Sequence, residues 1–182
     1  MEPFNRKQSK PAAAAKGTQH WGMTVQEPRM GVPKPIDPEA ESRAAIFASA
    51  LLNSAATGEL DVLKNAMKGF KKPGLIGIFS VNARDSHGMT ALMHAAKGGH
   101  TRAIDMLLSV QGIDVNAQDN NGMTALMHAS AVGSRSTIDM LLAFEGIDVN
   151  ARDNEGDTAL AYAIKNERPS LARFLRAVGV DD

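Results

Sequence analysis

Along the second half of the chain, apolar residues fall into two short clusters that keep returning. Ala91, Leu92, Ala95 and Ala96 form one cluster and Ile104, Leu107 and Leu108 the next, both at helical spacing. The same positions recur as Ala125, Leu126 and Ala129, and as Ile138, Leu141 and Leu142. Polar punctuation recurs with them: Asp85, Gly88 and Thr90 return as Asp119, Gly122 and Thr124, and again as Asp153, Gly156 and Thr158. Residues 81–114 and 115–148 are identical at 21 of 34 positions, and a degenerate third copy fills 149–182. Each copy reads as turn, helix, turn, helix: the glycine permits the turn, the threonine caps the first helix, and Gly112 or Gly146 closes the second. A period of this length predicts an all-α solenoid, because one helical pair is too small to bury its own apolar face and must stack on its neighbours.

The region before the copies carries a weaker version of the pattern. Asp37 followed by Pro38 is a good helix start. Ala44, Ala45, Ala48, Leu51, Leu52 and Ala55 make an apolar stripe that Gly58 can end. A second helix is expected from about Glu59 to Lys68, with Leu60, Leu63 and Met67 inward, followed by a long loop from Gly69 to Ser80. Residues 37–80 therefore read as a capping helical pair with a long loop. Residues 1–36 contain Pro11, Pro28, Pro33 and Pro35 with few large aliphatics, the composition of a disordered tail. Trp21, the single tryptophan, stands in it as a candidate anchor. It is expected to serve as a linear motif that docks elsewhere or as a cover folded back on the array, with an idle tail as the third alternative.

Composition narrows the classes. The 182 residues are 43% apolar but only 4% aromatic, so small and aliphatic side chains must do the packing. Twenty basic residues balance twenty acidic ones, with 11 basic against 7 acidic in residues 1–80 and 9 against 13 in 81–182. This balance, and the lack of aromatic residues among Lys64, Lys68, Lys71 and Lys72, speak against a nucleic-acid partner. Cysteine is missing, which excludes disulfides and thiolate metal sites. No apolar run reaches the roughly 18 residues that a bilayer span needs, and residues 1–20 lack the core of a secretory signal. A cytoplasmic address is the expectation.

At the recurring residues the chain resembles the ankyrin repeat family. The family's Asp-x-x-Gly-x-Thr-Pro-Leu-His-x-Ala signature stands here as Asp85, Gly88, Thr90, Ala91, Leu92, Met93 and Ala95, and again as Asp119, Gly122, Thr124, Ala125, Leu126, Met127 and Ala129. The closing Gly-x-Asp-Val-Asn stands at 112–116 and 146–150. Alanine replaces the family's proline and methionine its histidine, which implies that packing substitutes for the histidine's hydrogen bonds. Histidine sits one place later, at His94 and His128. The last copy carries Arg176 where Leu108 and Leu142 stand, and Arg173 for Asp105 and Asp139, as expected of a terminal unit that faces water.

The resemblance implies a non-enzymatic module, acting as adaptor, scaffold or inhibitor with no cofactor, that binds a partner protein through its turn tips and concave helix face. Candidate contact positions are those where the copies diverge on the turn tips and the ends of the first helices: Arg84 against Gln118, Ser86 against Asn120, His87 against Asn121, and Lys97 against alanine. The third copy supplies Arg152, Asn154, Glu155, Asp157 and Lys165, and Met89 and Met123 offer adaptable apolar contacts. A bacterial effector delivered into a host cell is a narrower alternative that uses the same surface. An enzyme or metal site at His94 and His128 is the alternative of another class. No catalytic triad or phosphate loop is legible.

Overall fold

A computed structural model describes residues 38–68 and 80–180, with side chains from Ser42 onward. The expected tail, Trp21 and residues 69–79 of the expected loop lie outside the described residues. Everything described belongs to one unit of the chain, Ile36–Asp182. The described residues form eight helices: α1 (Pro38–Thr57), α2 (Leu60–Lys68), α3 (Ala91–Gly98), α4 (Thr101–Leu108), α5 (Ala125–Val132), α6 (Arg135–Leu142), α7 (Ala159–Lys165) and α8 (Pro169–Ala177). The described residues contain no strand, and one isolated antiparallel bridge joins Arg84 to Thr90 across a tip.

The helices form four successive pairs. The first helix of each pair packs on the first helix of the next, α1 on α3, α3 on α5 and α5 on α7, and α4 packs on α6 in the second row. One apolar spine results, running through Leu51, Leu63, Leu92, Ile104, Leu126, Ile138, Leu160 and Leu175. Small residues let the first helices approach: Ala95, Ala96, Ala129 and Ala163 are all fully buried.

The helix starts show how the family's histidine is replaced. Thr90 Oγ1 accepts the amide of Met93, and Met93 Sδ accepts the amide of Thr90 at 3.3 Å. Thr124 and Met127 repeat the arrangement. Methionine therefore closes a reciprocal cap with its sulfur, where packing alone was expected to substitute. In the third pair Thr158 caps Ala161 without a sulfur partner.

Two expectations for the first pair need correction. Ala45 is exposed, although the stripe through it predicted burial, and its neighbour outside the stripe, Ile46, is 68% exposed. The cause is length: α1 has 20 residues and α3 only 8, so the amino-terminal half of α1 overhangs the helix it packs on. On α2 the fully buried residues are Leu63 and Ala66, while Leu60 and Met67 are half-buried. Arg173 and Arg176 are exposed on the last pair, as expected of its outward face.

Candidate interaction surface

Each tip between a repeat's start and its first helix is built on one aspartate. Asp119 Oδ1 accepts the amides of Asn121 and Met123 at 2.8 and 3.0 Å, and its Oδ2 lies 2.9 Å from His128 Nε2. Asp85 does the same with the amides of His87 and Met89 and with His94 Nε2 at 2.8 Å. In the third repeat Asp153 takes the amides of Glu155 and Asp157, and the Tyr162 hydroxyl donates to it at 2.7 Å. A carboxylate only accepts, so each imidazole donates from Nε2. The side chain one place after the family's histidine thus reaches back over the turn and fixes it.

These contacts set the charges. Partial burial works against ionisation of Asp85, but hydrogen bonds from His94 and from the Met89 and His87 amides hold its carboxyl below the usual range. Asp153 is held low in the same way by Tyr162 and two amides, again against partial burial. Burial, and then the Asp153 hydrogen bond, push the Tyr162 hydroxyl above its ordinary range. His128 is only 7% exposed, and that burial holds its imidazole below the ordinary value, with Asp119 opposing and the charges of Lys97 and His94 adding to the depression.

Successive tips are tied to each other. The amide of Asn120 donates to the His87 carbonyl and that of Asn154 to the Asn121 carbonyl, both at 3.0 Å. Asn120 Nδ2 donates to the Ser86 carbonyl and Asn154 Nδ2 to the Asn120 carbonyl. The Arg84 guanidinium donates to the Gln118 carbonyl, Gln118 Nε2 to the carbonyls of Gly122 and Arg152, and Arg152 to the Gly156 carbonyl. A second clamp stands at the repeat ends. Asn82 Nδ2 donates to the Gly112 carbonyl while its Oδ1 accepts the Asp114 amide, and Asn116 does the same with Gly146 and Asp148.

The expected contact residues therefore divide. Arg84, Gln118, Asn120, Arg152 and Asn154 use their side chains to bind one repeat to the next or to brace a tip, although the divergence between copies suggested a free rim. Met89 is 7% exposed and belongs to the core, and Met123 is half-buried; both are pulled in because the Asp85 and Asp119 turns fold their amides inward. Asp157 pairs with Lys165, which keeps the lysine charged to higher pH than usual. Ser86, His87, Lys97, Asn121 and Glu155 stay exposed. The Ser86 hydroxyl and His87 Nδ1 stand 3.5 Å apart, while Asn121 and Glu155 side chains make no hydrogen bond among the described residues.

His94 and His128 are accounted for by their own tip aspartates. Among the described residues no group of three or more histidine, aspartate or glutamate side chains is placed to hold a metal ion. The histidine–aspartate partnership itself escaped the sequence reading, as did the asparagine clamps. Its signal was present in the constant nine-residue spacing from Asp85 to His94, Asp119 to His128 and Asp153 to Tyr162.

Stacked helical pairs with protruding, hydrogen-bonded tips define a repeat solenoid built for recognition. Residues 110–181 match the family model of ankyrin repeats in three copies, and residues 79–129 match that of ankyrin repeats in many copies. Together the matches span residues 79–181, and the chain belongs to the ankyrin repeat family. No curated protein matches it. Ankyrin repeats are protein–protein interaction modules, in general without enzymatic activity. Among the described residues no helix is long and apolar enough to cross a membrane.

Proposed function

We propose that this chain is a non-enzymatic adaptor, scaffold or inhibitor that grips a partner protein across its row of tips, chiefly through Ser86, His87, Asn121 and Glu155, with Lys97 beside them. The observation that carries the reading is the backbone tie between successive tips, His87 to Asn120 and Asn121 to Asn154. Tips held that way present their exposed side chains in a fixed row, which lowers the ordering cost of binding. Lys165 and Asp157 extend the row as a neutralised pair. The reading carries with it a cytoplasmic address and a protein partner in preference to nucleic acid. Affinity capture from the native cell with the full chain tests it. Replacing His87, Lys97, Asn121 and Glu155 together by alanine is expected to cut recovery of the partner at least tenfold while the melting temperature holds. Unchanged recovery removes this surface from consideration. Delivery as an effector is the narrower alternative, separated by a translocation assay on the chain with and without residues 1–36.

A further inference from the structure

The outward face of the third repeat differs from a plain polar cap. Ala55, Ala96 and Ser130 occupy equivalent places in the first three helical pairs, and all are fully buried. That place faces the following unit, because Ala55 has no preceding unit among the described residues and is still covered. The fourth member of the series is Ile164, and it is 46% exposed. Beside it the opposite exchange has occurred: Leu63, Ile104 and Ile138 give way to Ala172. A small side chain below and a large one at the wall leave a hollow of about 300 Å³ between α7 and α8, with Ile164, Ala172, Arg168, Arg173 and Arg176 among its lining. A cap designed only for water would need neither the exposed isoleucine nor the hollow.

The outward face differs from the inner seams at the end of its first helix. At the three inner seams the residue before the second helix packs over the preceding unit's left-handed glycine: His100 over Gly58, Ser134 over Gly99 and Arg168 over Gly133. A Cβ would come within 2.7 Å of the covering side chain at Gly58 and 2.9 Å at Gly133, but would meet Ser134 Oγ at 3.5 Å, an ordinary contact, at Gly99. The outward face has Glu167 at that place, with a side chain and a φ of 54°.

We infer that this face is a second docking surface, separate from the tips, for an acidic peptide segment that inserts one aliphatic or aromatic side chain against Ile164 and Ala172 and sets carboxylates beside Arg168 and Arg173. Charge selects the class: Arg168, Arg173 and Arg176 outnumber the single Glu167 in the lining of the hollow, whereas residues 81–182 as a whole carry 9 basic against 13 acidic groups. Arg173 makes no ion pair among the described residues. An apolar anchor in a small pocket flanked by arginine is the usual composition of a binding hot spot.

The test titrates the full chain, labelled for NMR, with a dodecapeptide of glutamates and aspartates around a central Leu-Leu, and with its Ser-Ser counterpart of the same charge. Saturable shifts at the Ile164 and Ala172 methyls with the leucine peptide are expected, at least tenfold weaker with the serine peptide and at least tenfold weaker for the Ile164→Asn variant. Ile164 is at the surface, and the variant's unfolding curve confirms that it folds. Alanine at His87, Asn121 and Glu155 leaves the titration unchanged, so a failure here is distinct from a failure of the tip surface. The inference is overturned if neither peptide binds, if both bind equally, if the shifts spread over all arginines, or if sedimentation shows that a second copy occupies the face.

Discussion

The left-handed residue that ends each first helix is Gly99 in the first repeat, Gly133 in the second and Glu167 in the third. A side chain in that conformation costs about 1–2 kcal/mol. Glu167→Gly is therefore expected to stabilise the chain by about 1 kcal/mol in urea unfolding. Ser130 poses a different cost: its hydroxyl is fully buried and has no hydrogen-bond partner among the described residues, where the first repeat has Ala96. Ser130→Ala is expected to gain about 1 kcal/mol, and a loss in the same assay would mean that the hydroxyl has a partner in solution. His128 gives the chain a pH response. Its imidazole is held below the ordinary value of 6.5, so the folded state binds fewer protons than the unfolded chain and stability falls as pH drops through and below that value. His128→Gln is expected to flatten this part of the profile between pH 7.5 and 5. Asp85 and Asp153, held below 3.8, add a separate loss only as pH falls past that point.

At the scale of the helix, the methionine caps matter most. Met93 and Met127 were legible as departures from the family's signature, but their hydrogen bonds were not, because sulfur is an unusual acceptor and its reach depends on the side chain's rotamer. Met127→Leu keeps the volume and removes the acceptor, leaving the buried Thr124 amide without its partner. About 1 kcal/mol of destabilisation is expected, with faster amide exchange in the first turn of α5. The corresponding position in α7 is Ala161, whose helix has only the threonine half of the cap, so α7 is expected to fray first. Equal exchange at the starts of α5 and α7 would show that the sulfur contributes nothing.

Over the whole molecule, the seams decide how far a disturbance travels. Gly122 has a φ of 82°, and a Cβ there would lie 2.7 Å from the Asn154 amide, in the next repeat's tip. Gly122→Ala therefore strains its own turn and pushes against its neighbour's backbone, with an expected cost of about 2 kcal/mol or more. In a linear stack the effect should be directional. Hydrogen exchange is expected to rise across residues 119–160, while α1 and α2 keep their protection. A uniform rise would mean that the four pairs unfold as one.

The sequence alone determined the repeat period, the helical pairs, the aspartate–glycine–threonine turns and the family, since each rests on local spacing or on residues a few places apart. Position-by-position divergence also pointed to the tips. What it could not decide was which divergent residues face outward. Arg84, Gln118 and Asn120 bond to groups 34 residues away, and only stacking brings those groups within reach. The hollow beside Ile164 likewise exists because a shortened side chain at Ala172 adjoins a lengthened one from another helix. Neighbours within a repeat are written along the chain, whereas contacts and vacancies across a seam arise only when the apolar faces have been buried against each other.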